Sequence, residues 1–170
     1  LSDVMHNKAG EIFSPMFLEN KLKFSPYIKE AVIFGDPWEY VAALINIDPI
    51  GVGKWAEDRG ISFTTVMDLS AGPEVAELMI KQVIEFNQTI EKEHFRIHRF
   101  AILYKLLDVD DSELTKTGKI RRKFIREKYD DLYTALYDPS VSEKKVEAFF
   151  QYQDGQTSTV QTTLKFYTME

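Results

Sequence analysis

The segment Asp110-Asp111-Ser112-Glu113-Leu114-Thr115-Lys116-Thr117-Gly118-Lys119-Ile120-Arg121-Arg122 runs from acids, through a Thr/Gly turn, into bases. Seven of the thirteen residues from Lys116 to Lys128 are Lys or Arg. Ile120, Phe124, Ile125 and Tyr129 interrupt them with an apolar stripe that continues to Leu132 and Leu136. This pattern predicts a packed helix over about 119–137 with a cationic outer face. Lysine at a helix start opposes the helix dipole, and an anion arriving there reverses the sign of that interaction. Unpaired N–H groups, a flexible Gly118 and the Lys119 ammonium together suit a phosphate or a carboxylate. A solvated cationic face is the other reading, and the residue types leave both open. The nucleotide P-loop is excluded, because G-x-x-x-x-G-K-[ST] needs Gly at 113 and Ser or Thr at 120, where this chain has Glu113 and Ile120.

Other chemistry-bearing residues assemble less well. His94 and His98 are four apart, but Arg96 and Ile97 predict extended chain between them and no third ligand is near in sequence, so they read as surface or packing residues rather than metal ligands. Trp38 and Trp55 read as packing, Glu30, Glu57 and Asp58 form no spaced acid/base pair, and no serine sits in a nucleophile elbow. Cysteine is absent, which removes disulfides, thiolate zinc sites and a cysteine nucleophile together. With 21 Lys+Arg against 27 Asp+Glu the net charge is −6, so any anionic ligand must find a local basic patch. A nucleic-acid-binding module using the basic helix 119–137 is kept as an alternative on the density of its cations.

The elements that must position these residues follow from punctuation and period. A chain of 170 residues makes one domain, or one plus a small appendage. With 44% hydrophobic and 28% charged residues it is an ordinary folded chain, neither collagen-like nor disordered. No run of 18 apolar residues could span a membrane, and Leu1-Ser2-Asp3-Val4 resembles neither a signal nor a transit peptide, so the start reads as mid-protein. Val4, Met5, Ile12 and Phe13 flank a turn-like His6-Asn7-Lys8-Ala9-Gly10, which predicts a short hairpin; for Gly10 a tight turn without any ligand is the plain reading. Ser14-Pro15 caps a short helix that Ser25-Pro26 stops. Ala31–Phe34 and Tyr40–Ile47 predict adjacent antiparallel strands, the spacing of Val75, Met79, Val83, Phe86 and Ile90 predicts an amphipathic helix over 73–93, and 97–107 reads as a third strand. After Asp138-Pro139 a short helix capped by Ser142 is expected, then a Gln/Thr-rich stretch with traces of period two. The fold class is therefore α+β: a small mixed sheet of about three strands with helices packed on it, an N-terminal hairpin and a C-terminal extension.

At this point two separated motifs carry a resemblance. Glu113-Leu114-Thr115-Lys116-Thr117-Gly118-Lys119-Ile120-Arg121-Arg122 resembles the C-terminal lysine motif of adenylate-forming enzymes, in the form found in their long-chain fatty acid branch. Ser2 to Glu11, Ser14-Pro15 and Glu19 to Ile28 resemble the hinge and glycine loop that open the family's mobile lid domain. The resemblance covers about 1–137 and implies a lid domain there, with 138–170 as a C-terminal extension. It implies a piece of a fatty acid–CoA ligase, a cytoplasmic enzyme that could touch a membrane peripherally when full-length. Fatty acid, ATP and coenzyme A are the implied substrates and the chain's own large N-terminal domain the implied partner, with no nucleic acid. Mg2+ would be held mainly by that large domain. A related adenylating enzyme acting on an aryl or amino acid is the neighbouring alternative.

The roles implied by the resemblance are specific. Lys119 would place its ammonium between the fatty carboxylate and the α-phosphate during adenylation, with Thr117 and Gly118 shaping the turn beneath it. Arg121 and Arg122 would face pyrophosphate or coenzyme A phosphate, or only water. Ala9 and Gly10 would admit the pantetheine arm in the thioester-forming pose, Gly10 because it lacks Cβ. Ser2, followed by Asp3, matches the hinge. The isolated 170 residues are expected to fold yet be inert.

Overall fold

The computed structural model describes residues 4–7, 9–36, 38, 40–151 and 153–169. Ser2 and Asp3, the expected hinge, lie outside them.

The chain opens with the expected hairpin, β1 (Met5–His6) paired antiparallel with β2 (Ile12–Phe13). Helix α1 (Pro15–Leu22) starts where its punctuation puts it: the Ser14 hydroxyl accepts the Phe17 N–H at 3.2 Å and proline occupies the first turn. Strands β3 (Ile28–Phe34) and β4 (Val41–Ile47) pair antiparallel, with Ile33 opposite Ala43. Three helices then cross over: α2 (Pro49–Asp58), α3 (Val66–Ser70) and α4 (Pro73–Gln88). The chain returns in β5 (Ile97–Ile102), parallel to β4. Helix α4 is shorter than its apolar period, because Thr89 turns its hydroxyl back to the Phe86 carbonyl at 2.6 Å and a single 3-10 turn, Glu93–Phe95, leads into the strand.

Two expectations fail beyond this point. The single helix over 119–137 is instead two short ones, α5 (Arg122–Lys128) and α6 (Asp130–Leu136), meeting at Tyr129. The short helix after Ser142 is a strand, β6 (Glu143–Gln151), which pairs along its whole length with β7 (Thr157–Thr168). Its burial has period two, Val146 and Ala148 inward, Glu147 and Phe149 outward, which is a strand's signature. The Gln/Thr-rich stretch does not trail away: β7 enters the sheet beside β5, with Phe100 opposite Tyr167. The sheet therefore has five strands, in the order β3-β4-β5-β7-β6.

Both faces of this sheet are covered, which is why β3 and β4 read as nearly unbroken apolar runs. On one face Ile33, Ala43, Ile45 and Phe100 meet α1 and α4 through Leu18, Leu22, Met79 and Val83. On the other face Val32, Phe34, Leu44 and Ala101 meet Ile125, Tyr129, Leu132 and Leu136 of α5 and α6, together with Leu164 and Phe166 of β7. Among the described residues no helix is long and apolar enough to cross a membrane.

Candidate functional site

Lys119 does not sit at a helix start. Residues 113–115 pair with 119–121 instead: the Thr115 N–H donates to the Lys119 carbonyl at 2.8 Å, Leu114 and Ile120 form an antiparallel bridge, and the Arg121 N–H donates to the Glu113 carbonyl at 3.0 Å. With those backbone groups already paired, α5 cannot begin before Arg122. The Gly118 N–H closes the turn on the Thr115 carbonyl at 2.8 Å, and Gly118 has φ +83°, a left-handed conformation that costs glycine little. This tight turn followed by a left-handed glycine makes a three-residue hairpin loop with a bulge. The Thr115 hydroxyl finishes it, accepting the Lys119 N–H at 3.0 Å and meeting the Thr117 hydroxyl at 3.1 Å.

The other candidate loop has the same design. The Asn7 N–H donates to the Glu11 carbonyl at 3.0 Å, the Gly10 N–H donates to the Asn7 carbonyl at 2.9 Å, and Gly10 has φ +82°. The Asn7 side-chain oxygen accepts the N–H groups of Ala9 and Glu11 at 3.0 and 2.9 Å, as Thr115 does for Lys119. Nothing lies within 4 Å of where a Gly10 Cβ would stand, so the backbone there is open to an approaching chain. After the glycine comes Glu11 in place of the lysine, and it is paired with His94 at 2.9 Å.

The seven cations divide sharply. Arg122 is drawn inward, binding the buried Glu19 carboxylate and donating to the Ile33 carbonyl at 2.9 Å, so its role is to fasten α5 to α1 and β3. Lys128 pairs with Glu113, Arg121 donates to the Ser112 carbonyl and lies over Phe124, and Arg126 lies over the Tyr133 ring. Lys116, Lys119 and Lys123 are exposed and have no ion pair or hydrogen bond from the ammonium among the described residues. The cationic face expected of a nucleic-acid-binding helix is thus partly spent on internal contacts. His98 stands apart from His94, packed against the Tyr40 ring, and no group of three His, Asp or Glu side chains among the described residues could hold a metal ion.

Sequence reasoning passed over the residue that holds the lysine hairpin. Glu113 is fully buried. One of its oxygens accepts from Lys105 Nζ at 2.6 Å and the Asp108 N–H at 3.0 Å; the other accepts from Lys128 Nζ at 2.8 Å and from the Tyr129 hydroxyl. Burial works to raise the Glu113 pKa, but the hydrogen bonds from Lys105, Lys128 and Tyr129 outweigh it and hold the carboxyl below its ordinary range. Burial likewise opposes charge on Lys105, yet Asp111 and Glu113 leave its ammonium above the ordinary lysine value. Burial, then the carboxylate, push the Tyr129 phenol far up, so it stays a proton donor. A second buried polar group, Asn46 in β4, donates to the Lys105 carbonyl and accepts the Leu107 N–H, both at 2.8 Å. The signal for Asn46 was legible, as the one polar side chain in the run Val41–Ile47.

Residues 2–141 match the model of the AMP-binding enzyme C-terminal domain. The chain belongs to that family. It is 29% identical over 137 residues to the long-chain-fatty-acid–CoA ligase FadD15 of Mycobacterium tuberculosis, a match covering 80% of this chain and 23% of that protein. It is 22% identical over 141 residues to the peroxisomal long chain acyl-CoA synthetase 6 of Arabidopsis thaliana, covering 78% of this chain and 20% of that one. This AMP-binding C-terminal domain therefore spans about a quarter of the length of the curated relatives it matches. Its fold is similar to part of the A-PCP didomain of carboxylic acid reductase from Segniliparus rugosus, with a TM-score of 0.62 at 17% identity, covering 80% of this chain and 17% of that one.

Proposed function

We propose that this domain is the mobile lid of a long-chain fatty acid–CoA ligase and that Lys119 is its adenylation lysine. The observation that carries the reading is an exposed ammonium with no partner among the described residues, mounted on a hairpin whose two feet are tied into the core. In the first half-reaction a fatty carboxylate oxygen attacks the α-phosphorus of ATP, and pyrophosphate leaves. Two anions must approach, and a preorganised cation between them lowers the barrier. In the second, the thiol sulfur of coenzyme A attacks the acyl carbonyl and AMP leaves. The open backbone at Ala9-Gly10 suits the passage of a narrow pantetheine arm. Ser2 and Asp3 would form the hinge between the two poses, and the large domain upstream would hold the acid and ATP. Mg2+ would be held mainly by that large domain, and the cation this domain would bring is the lysine. Arg121 remains the better of the two arginines for a phosphate, since Arg122 would first have to leave Glu19.

The test separates the half-reactions. In the full-length protein, Lys119→Ala is expected to slow acyl-adenylate formation by roughly 10²- to 10³-fold, while thioester formation from preformed acyl-adenylate is largely spared. An equal fall in both would reject the assignment.

A further inference from the structure

We propose that Glu113 is a positioning residue for Lys119, holding both feet of the lysine hairpin at one buried point. This rests on the assignment of Lys119 to adenylation. Glu113 immediately precedes the bridge residue Leu114, so fixing its carboxylate fixes the hairpin's incoming strand. Its carbonyl accepts the Arg121 N–H, which fixes the outgoing strand. The carboxylate is in turn held from two layers. Lys128 and Tyr129 reach it from the α5–α6 junction, and Lys105 reaches it from a segment that Asn46 ties to β4. The reactive cation thus hangs from the sheet and the helices together, two residues from the foot at Arg121, with its own ammonium uncommitted.

Stability alone is a poor account of this hub. Burying a carboxylate with two ammonium groups carries a desolvation cost that packed apolar side chains would not, so such clusters often add little net stability. What the cluster supplies is a single geometry, because four donors converge on two oxygens and every one would be lost by a shift of the loop. A cation misplaced by about 1 Å costs roughly 100-fold in rate, which is the scale of benefit available.

The experiment is a mutant cycle on the full-length protein, scored on each half-reaction separately. Glu113→Gln keeps the side chain's size and removes its charge. It is expected to lower the adenylation rate constant by roughly 10- to 100-fold, with KM for acid and ATP nearly unchanged and thioester formation from preformed acyl-adenylate spared. In a Lys119→Ala background the same change should have no further effect. Tyr129→Phe, which keeps the ring and removes one donor, should give a smaller loss of the same kind, again silent without Lys119. If Glu113→Gln slows both half-reactions alike, or its factor multiplies undiminished with that of Lys119→Ala, Glu113 is structural only and the proposal is overturned. If Lys119→Ala itself leaves adenylation intact, it is the reading of Lys119 that falls.

Discussion

Glu113 is charged where burial argues against charge, and that has a pH signature. Folding lowers the carboxyl's pKa from its ordinary 4.5, so below that pH the unfolded chain binds a proton that the folded one resists. The contribution is whole above the unfolded value and is lost as pH falls through the lower folded one. Lys105, raised above 10.5, behaves oppositely: its contribution is whole below 10.5 and is lost as pH climbs through the folded value, well above neutrality. Denaturation midpoints of the wild-type chain should therefore decline as pH drops below 4.5, and Glu113→Gln should flatten that acid limb while lowering the midpoint at pH 7. An acid limb of unchanged slope in the variant would contradict the carboxylate's assigned state. The same residue shows how a sequence can mislead at this scale. Among Asp110, Asp111 and Glu113 the letters are alike; only Glu113 faces the core, since Asp111 reaches Lys105 from a half-exposed position.

At the scale of elements, the two candidate loops turn out to be one device used twice, a hairpin closed by a polar side chain at its first position and a left-handed glycine at its fourth. What differs is the residue after the glycine, a lysine left free in one and a glutamate engaged by His94 in the other. Periodicity favoured a helix through 119–121 because apolar spacing there is helical, and local spacing cannot register that the same backbone groups pair with 113–115. Helix α2 was missed, although Asp48-Pro49 repeats the Ser14-Pro15 signature. The Asp48 carboxylate accepts the N–H groups of Ile50 and Gly51 at 3.0 and 3.1 Å, and its replacement by alanine should cost about 1 kcal/mol in chemical denaturation. Gly51 lets this helix lie directly on the chain at Pro26: a Cβ there would overlap the Pro26 carbonyl, which is backbone and cannot swing aside. Gly51→Ala should accordingly destabilise by about 1–3 kcal/mol, whereas a helix free of that contact would gain from alanine.

For the whole molecule, the decisive feature is the position of the tail. Strand β7 lies between β5 and β6, and Val146, Leu164 and Phe166 close the cluster that also contains Ile125, Leu132 and Leu136 beneath the lysine hairpin. The family match stops at residue 141, yet the sheet does not. Removing residues 142–170 should expose the edge of β5 and one side of that cluster, giving a lower melting temperature and binding of an apolar dye such as ANS. A truncated chain that melts at the same temperature would mean the ribbon contributes nothing to the core. The hydrogen bonds of Arg99 to the Asp138 and Ala135 carbonyls, each at 3.2 Å, and to Thr168 Oγ1 at 2.9 Å argue the other way, since one buried side chain spans α6, its exit and β7.

Punctuation and period, which are local, placed the first hairpin, α1, β3, β4, most of α4 and β5, and the lysine motif pointed to the residue proposed here for adenylation. These features depend on neighbours in the chain, so the letters alone determined them. The burial of Glu113, the inward turn of Arg122 onto Glu19 and the entry of β7 beside β5 depend on partners up to 103 residues away or across a sheet, and the hairpin beneath Lys119 rests on backbone pairs that apolar spacing does not register. A side chain's charge is written in the sequence, but whether that charge is spent on the core or left free for a ligand is set by what the fold brings against it.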